Sequence, residues 1–219
     1  MKPKLMIEHT KINRSEFGED PFGYSSLARL KWGILQELHG ANLDLANPAT
    51  SDELKDPVLW MAHANSLSEA ATVIIKTEPS FQNMPVLMRG ICDSQFCAIG
   101  LMLVGYSLEV CLKAMHIMNE GIEKYTIDEK KYKHHKLHLL STFIPELSEK
   151  EIAILELLSH FITWAGRYPD PGMGWETNAE KIFDLSEQHQ ISAKDLFSTS
   201  AKVMSFAKIM VEKYIENGG

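Results

Sequence analysis

The chain has little of what disulfide-stapled or membrane-spanning proteins contain. Its 219 residues include three cysteines and no C-x-x-C pair. An odd number of cysteines without a repeated spacing favours buried, reduced thiols over a disulfide framework. The longest apolar run, residues 96–106, has 11 residues, whereas a helix that spans a bilayer needs about 20. We therefore expect neither a disulfide-rich nor a membrane protein.

Positive charge is also scarce. The chain carries 29 acidic and 22 basic residues, a formal net charge of −7. Broad, non-specific binding to nucleic acid requires clustered Lys and Arg that neutralise phosphates, so this composition disfavours it without excluding a local basic patch. Residues 1–20 lack the apolar centre of a signal peptide. We expect a cytoplasmic protein.

The motifs of several enzyme classes are missing from the sequence. It has no phosphate-binding glycine loop, no G-x-S-x-G elbow and no paired Glu-x-x-His motifs of the di-iron type. The cysteines lie in apolar sequence, which would raise the thiol pKa and disfavour a thiolate nucleophile. We expect no cofactor and no bound metal.

What the sequence does contain is a series of helix signals. The one β-branched run, residues 71–75, is surrounded by helical sequence. Asp56-Pro57 predicts a helix start, and Ser148 to Glu151 and Ser192 to Asp195 predict two more through capping boxes. The sequence predicts an all-α fold, an antiparallel up-and-down bundle of about five to seven helices. Residues 56–219 form the main domain, and residues 1–55 form an N-terminal extension packed on it.

Individual helices follow from the turn formers between the apolar segments. One helix is predicted over residues 26–38 and another over 58–76. Residues 86–118 predict one long buried helix, or two separated near Gly90, with Gly121 as the stop. Shorter helices are predicted over 137–143 and 177–188.

A polar stripe interrupts the apolar central helix. At 100° per residue, Tyr106, Glu109, Lys113 and His116 fall within an arc of about 80°. One interpretation is an exposed i,i+4 pair between Glu109 and Lys113. The other is a polar cluster that faces a groove between helices, where buried charges need partners and often mark function.

The stretch from Lys130 to His138 is dense in Lys and His. His134 and His138 are one helical turn apart, a spacing at which two imidazoles share a metal, but no H-E-x-x-H motif and no acidic residue accompany them. The simplest interpretation is a solvated basic loop. The same residues are the best candidates for a contact with phosphate or RNA.

The third feature is the segment Trp164-Ala-Gly-Arg-Tyr-Pro169. Arg167 offers a planar fork for carboxylate or phosphate, and the flanking aromatic rings could stack on it. Alternatively the segment is a helix end at which Gly166 stops the helix, Arg167 bonds nearby carbonyls, and Trp164 and Tyr168 pack into the core.

Together these segments resemble the HEPN superfamily over roughly residues 58–216. The resemblance is carried by GYSLEVCLKAMH at residues 105–116, by His-x-Leu-x-x-Leu at residues 135–140, and by Trp-Ala-Gly-Arg-Tyr-Pro. It implies a compact antiparallel helical bundle that often dimerises. Many members are metal-independent ribonucleases of toxin–antitoxin, phage-defence and RNA-processing systems, and others are non-catalytic binding modules.

The Arg-x(4–6)-His motif of the ribonuclease members is absent from this chain. The catalytic residues of the family therefore have no counterpart here, and only Glu109, Lys113 and His135 match motif positions. The candidate ligand-binding residues are Glu109, Lys113, His116, His135, His138, Trp164, Arg167 and Tyr168.

Three functions remain open from the sequence. The favoured one is a non-catalytic, homodimeric HEPN-like module that binds RNA, a nucleotide or a protein partner. The alternative is a divergent metal-independent ribonuclease or nucleotide-processing enzyme in which Arg167 acts together with His135 or His138. The third is a regulatory protein whose helical surface recognises another protein.

Overall fold

The computed structural model describes residue 8, residues 10–41 and residues 43–216. All regular structure within these residues is helical, and they contain no strand, which confirms the all-α fold class. The chain divides into two compact units, Met1–Leu59 and Trp60–Gly219, and each unit is described below by itself. The packing of an N-terminal extension on a main domain stays a prediction.

The first unit consists of short helices. They are α1 (Arg14–Glu19), α2 (Pro21–Ser25), α3 (Ala28–Leu38) and α4 (Ser51–Leu54), followed by the start of α5 (Pro57–Lys76). The guanidinium of Arg29 on α3 lies 2.7 Å from the Glu53 carboxylate on α4. The indole N–H of Trp32 donates to the Asp56 carboxylate at 2.7 Å, and the same carboxylate accepts from the Val58 amide at the start of α5. Asp56 therefore both caps α5 and holds α3.

The second unit contains the long helices. After α5 and a 3₁₀ turn (Val86–Met88) come α6 (Arg89–Glu120), α7 (Ile122–Ile127), α8 (Glu129–Tyr132), α9 (Leu137–Leu140) and α10 (Glu149–His160). A π-helical turn (Phe161–Ala165) extends α10, and α11 (Thr177–Gln188) and α12 (Ala193–Glu216) complete the unit.

The expected number of five to seven helices is too low. Six of the α-helices within the described residues have eleven or more residues, and another six have only four to six. Helices this short show less than two turns of apolar periodicity, so the sequence pattern does not reveal them.

The predicted helix ends depend on local side-chain bonds, and the structure confirms them. At Ser148 and Glu151 both bonds of a capping box are present. At Ser192 the hydroxyl accepts from the Asp195 amide at 3.3 Å, and the Asp195 carboxylate accepts from the Ser192 amide at 2.9 Å. Gly121 ends α6 with a φ of +82°, a left-handed conformation that favours glycine. Residues 89–120 form one continuous helix, so Gly90 does not divide it.

Helix α6 is the centre of the second unit. It packs against α12, α10, α9 and the π turn, and its side chains Leu108, Leu112 and Met115 are fully buried with Leu158 of α10 and Val203 of α12. Because neighbours surround this helix, it is apolar on several sides rather than along one stripe. The structure confirms the predicted central, buried helix.

Of the described residues, one segment is long and apolar enough to cross a membrane by length and composition. This segment, Val86–Glu120, is 44% buried within the fold over its apolar window. A core helix of a soluble protein passes the same test, and the packing around Leu108 to Met115 is that of a core helix.

The three cysteines differ in their surroundings. All three are free thiols. Burial raises the pKa of Cys111 to about 12, as expected for an inert core thiol. The expectation that all three are buried is wrong for Cys97, which is exposed, and for Cys92, which is half-buried, because the first turns of α6 extend beyond its packed centre.

Close contact between α6 and the end of α10 predicts the effect of two glycine substitutions in the same helix. A Cβ at Gly105 would lie 2.7 Å from Ile162 Cγ1 and 3.2 Å from the Leu158 carbonyl oxygen, whereas a Cβ at Gly90 meets nothing within 4 Å. We expect Gly105→Ala to lower the free energy of unfolding by about 1–3 kcal/mol, the usual cost of overpacking. Gly90→Ala, the control, should cause no loss because alanine has the higher helix propensity. Urea denaturation measures both, and equal stabilities for the two variants would contradict the packing described here.

Candidate functional site

A buried ion pair lies on the polar stripe of α6. The ammonium of Lys113 is 2.7 Å from one carboxylate oxygen of Glu109, and the two side chains are 14% and 7% exposed. An exposed surface pair is therefore the wrong interpretation, and a buried polar cluster is the correct one. Buried carboxylates need partners for both oxygens, since desolvation of the charge is otherwise uncompensated.

The second oxygen of Glu109 binds the loop between α8 and α9. It accepts from His135 Nδ1 at 2.8 Å. Two further bonds order the same loop: the Lys136 amide donates to His134 Nδ1 at 3.1 Å, and the Leu137 amide donates to the Ser159 hydroxyl at 2.9 Å. The loop that the sequence describes as basic and solvated is thus held from both sides, by α6 and by α10.

His135 borders a cleft of about 630 Å³ in the second unit, a volume within the usual range of small-molecule sites. We call it the histidine cleft. Its polar lining comprises His134, His135, Lys136, His138, Glu156, Ser159, His160, Thr163, Asn178 and Lys181. Trp164, Pro171 and Trp175 supply the apolar surfaces. Four imidazoles, two ammonium groups and two indoles therefore meet in one cavity of an acidic chain.

The π turn at the end of α10 brings Trp164 into this cleft. Its wider helical spacing is shown by the Gly166 amide, which donates to the Phe161 carbonyl five residues earlier at 3.1 Å. The absence of a side chain on Gly166 lets the turn approach α6, because a Cβ there would overlap Met102 and lie 2.9 Å from the Ala98 carbonyl oxygen. Gly166 has a φ of −88°, so it serves close packing rather than a left-handed helix stop. π turns are frequent at functional sites.

One imidazole nitrogen of the cleft has an unmet hydrogen bond. His138 Nδ1 is buried and has no partner among the described residues. Asn178, which is 6% exposed, lines the same cleft. A buried polar atom left unpaired costs free energy, so the unmet hydrogen bond of His138 Nδ1 lowers the stability of the fold.

The electrostatics of the cleft keep two of its histidines neutral. Burial lowers the pKa of His160; Lys181 and His138 lower it further, and Glu156 opposes them. Burial also lowers the pKa of His134; Lys113 and Lys136 act in the same direction, and Glu109 acts against them. At neutral pH both rings are therefore hydrogen-bonding groups rather than cations.

His116, the last residue of the polar stripe, lies apart from the cleft. Its Nε2 bonds the Leu140 carbonyl at 3.0 Å, and its ring packs on Tyr132 and Phe143 with centroid distances of 4.5 and 4.6 Å. These contacts make it part of the packing between α6, α8 and α9.

Arg167 and Tyr168 also lie apart from the histidine cleft. They line a separate cavity of about 270 Å³ together with Gln95, Ile99 and Pro169. The Arg167 guanidinium donates to the Tyr168 hydroxyl at 3.2 Å and lies 5.1 Å from the Tyr168 ring centre. Tyr168 is 54% exposed, so its packing into the core is contradicted. Joint action of Arg167 with His135 or His138 requires that these side chains line the same cavity. Within this chain they line two different cavities.

The structure thus divides the residues chosen from the sequence. It brings His135, His138 and Trp164 together, with Glu109 and Lys113 directly behind His135, and it separates His116, Arg167 and Tyr168 from them. Sequence reasoning missed His160, Trp175, Asn178 and Lys181. The i,i+4 spacing of His160 and Trp164 was a usable signal, because such residues share a helix face. No sequence pattern within α11 or the loop before it indicates that residues of these segments reach the histidines.

The described residues contain no group of three or more His, Cys, Asp or Glu side chains arranged to hold a metal ion. His134 lies in the loop ahead of α9, whereas His138 lies within that helix. The helical spacing that suggested a shared metal therefore does not apply to this pair.

The burial of His116 predicts a pH dependence of stability. Burial lowers its pKa from the ordinary value of 6.5, so the unfolded chain takes up the proton first as the pH falls. The neutral His116 ring therefore stabilises the fold fully at a pH above the unfolded-state pKa. This stabilisation is lost as the pH falls through the lower folded-state pKa. We expect the free energy of unfolding to decrease between pH 7.5 and 5.5, and to decrease less in His116→Gln. Urea denaturation across this range is the measurement, with His63→Gln, an exposed position, as the control; equal pH slopes in all three proteins would refute the assignment.

Comparison of the chain with models of known protein families, with curated proteins and with solved structures finds no match in any of the three. The interpretation of the histidine cleft therefore depends on its own geometry.

Proposed function

We propose that this chain is a HEPN-like helical module that binds a nucleotide, free or as part of single-stranded RNA, in the histidine cleft. The observation that carries the proposal is the composition of that cleft. Its indoles offer flat surfaces for a base, and its ammonium and imidazole N–H groups offer donors for phosphate. Stacking on aromatic side chains combined with a basic groove is the usual way in which proteins hold unpaired nucleotides.

Other features of the cleft favour a nucleotide over a simple anion. A phosphate ion alone would not need Trp164 and Trp175. The Glu156 carboxylate on the same lining repels an anion beside it, but it is an acceptor suited to ribose hydroxyls or a base amino group.

The HEPN-like assignment has independent support from the contact between two motif positions. Glu109 of the Leu-Glu-x-x-x-Lys-Ala helix and His135 of the His-x-Leu-x-x-Leu element bond each other at 2.8 Å. These elements are 26 residues apart in the chain. Their contact explains why both would be needed in one fold, which the sequence resemblance alone does not.

The proposal predicts that adenosine 5′-monophosphate binds and that cleft variants weaken its binding. We expect Trp175→Ala to raise the dissociation constant about tenfold, because stacking of one base contributes about 1–3 kcal/mol. Lys181→Ala should also weaken binding and reduce its dependence on salt, since it removes one phosphate-neutralising charge. Isothermal titration calorimetry provides the measurement.

The matched control is Lys208→Ala, an exposed lysine on α12 outside the cleft lining. Its affinity for adenosine monophosphate should equal that of the wild type. A parallel titration with inorganic phosphate distinguishes an anion site from a nucleotide site. A parallel titration with a short single-stranded RNA distinguishes binding of a free nucleotide from binding of RNA. If none of the three probes binds, or if Lys208→Ala and Lys181→Ala lose equal affinity, the proposed function is wrong.

The proposed module works as a homodimer through the exposed 3₁₀ turn (Val86–Met88) and the start of α6. Val86, Leu87 and Ile91 are 74%, 91% and 51% exposed, and one basic and one acidic residue, Arg89 and Asp93, lie in the same segment. Two copies of a chain with a net charge of −7 repel each other least through an apolar surface whose own charges balance. A second copy therefore suits this surface better than a charged partner does.

Substitutions on this surface test the dimer. We expect the wild type to run as a dimer in size-exclusion chromatography with light scattering, and Leu87→Glu combined with Ile91→Glu to run as a monomer, because each would bury a carboxylate in an apolar contact. Ile127→Glu, at a side chain that is 76% exposed at the end of α7, is the control and should leave the dimer intact. A monomeric wild type would contradict the dimer.

A further inference from the structure

The hydrogen-bond partners of three imidazoles in the histidine cleft determine which ring nitrogen carries the proton. A backbone amide and an indole N–H only donate. His134 Nδ1 faces the Lys136 amide at 3.1 Å, and His160 Nδ1 faces the Trp164 indole N–H at 3.5 Å. Both Nδ1 atoms therefore accept, and both neutral rings carry their proton on Nε2. In this form each ring presents an N–H donor on its other edge.

His135 has the opposite arrangement. Its Nδ1 lies 2.8 Å from Oε2 of Glu109, and a carboxylate paired with Lys113 only accepts. The proton of the neutral His135 ring is therefore on Nδ1, and the lone pair is on Nε2. The side chain is 51% exposed and borders the cleft, so the lone pair is accessible to a ligand.

These arrangements differ in what happens when a proton arrives. A second proton on His134 or His160 has to enter at Nδ1, where it would oppose another N–H group and break the existing bond. A second proton on His135 enters at Nε2 and leaves the bond to Glu109 in place, now charge-assisted. Charged or titratable groups around His135 are Glu109 and Lys113 on α6, His134 and Lys136 on its own loop, and His138, Glu156, His160 and Lys181 on the cleft lining.

We propose that Glu109 is a positioning residue that makes His135 the proton acceptor of the histidine cleft, directed at an O–H group of the bound ligand. The inference rests on the proposed nucleotide site, whose ribose hydroxyls and protonated phosphate oxygens are such groups. In the transfer, the proton leaves the ligand oxygen for His135 Nε2, the O–H electron pair stays on the oxygen, and the resulting imidazolium is paired with the Glu109 carboxylate. His134 and His160 serve as fixed N–H donors beside it.

The first test is the tautomer of each ring, read from long-range ¹H–¹⁵N correlation spectra of the full-length protein labelled at histidine nitrogen. At neutral pH we expect the neutral form of His135 to carry its proton on Nδ1, and His134 and His160 to carry theirs on Nε2. This measurement needs no variant. A wild-type His135 with its proton on Nε2 in the neutral ring overturns the proposal.

Two variants separate positioning from general support of the fold. Glu109→Gln should shift neutral His135 toward the Nε2–H tautomer, because an amide no longer requires a donor from the ring. Lys113→Gln removes the other partner of Glu109 and should leave the His135 tautomer unchanged. If Glu109→Gln folds with its His135 tautomer unaltered, Glu109 does not act through His135. If it does not fold, the wild-type and Lys113→Gln spectra decide the question.

Titration with adenosine 5′-monophosphate connects the tautomer to the ligand. We expect the His135 Nε2 resonance to shift on binding, and the affinity of Glu109→Gln to fall several-fold while that of Lys113→Gln changes less. If the tautomers are as assigned but adenosine monophosphate and RNA do not bind, the proposed function fails while the assignment of His135 stands. If the nucleotide binds and the His135 resonance does not move, the proton-acceptor role fails while the proposed function stands.

Discussion

The structure of the second unit depends on the need to satisfy one buried carboxylate. Glu109 is 5% exposed and lies on the central helix α6, among buried apolar side chains such as Leu108 and Leu112, where an unpaired charge would cost several kcal/mol. Lys113 satisfies one oxygen from the same helix, and His135 satisfies the other from a distant loop. Because the second partner is not local, the carboxylate draws the loop onto α6 and thereby places one wall of the histidine cleft.

The opposite wall depends on a packing constraint. Gly105 and Gly166 let the end of α10 lie against α6 with almost no space between the backbones, and the π turn between Phe161 and Ala165 places Trp164 on the cleft side. The cleft thus lies between the Glu109–His135 hydrogen bond and the close contact of the end of α10 with α6. Both involve α6, so the central helix of the second unit also organises the histidine cleft.

Much of the helical organisation could be predicted because its causes are local. The caps at Asp56, Ser148 and Ser192 bond amides two or three residues away, so the pattern and the bond lie in the same few residues. The site was predicted less well. Arg167 and Tyr168 were expected to join the histidines and instead line another cavity, on the far side of Gly166, which packs against Ala98 and Met102 of α6. Trp175 and Lys181 reach the cleft from a loop and a helix whose own sequences contain no sign of it.

The sequence by itself determined the fold class, the capped starts of α5, α10 and α12 and the central position of α6, since propensity, capping and apolar periodicity act over a few residues. It also placed Glu109 and Lys113 one helical turn apart. Only the tertiary structure decided that this pair is buried, that His135 completes it, and that four histidines share one cleft. Those facts depend on contacts between residues 22 or more positions apart, such as Leu137 with Ser159 and Glu109 with His135. The free energy of such contacts depends on burial, and burial is a property of the packed fold rather than of any segment within it.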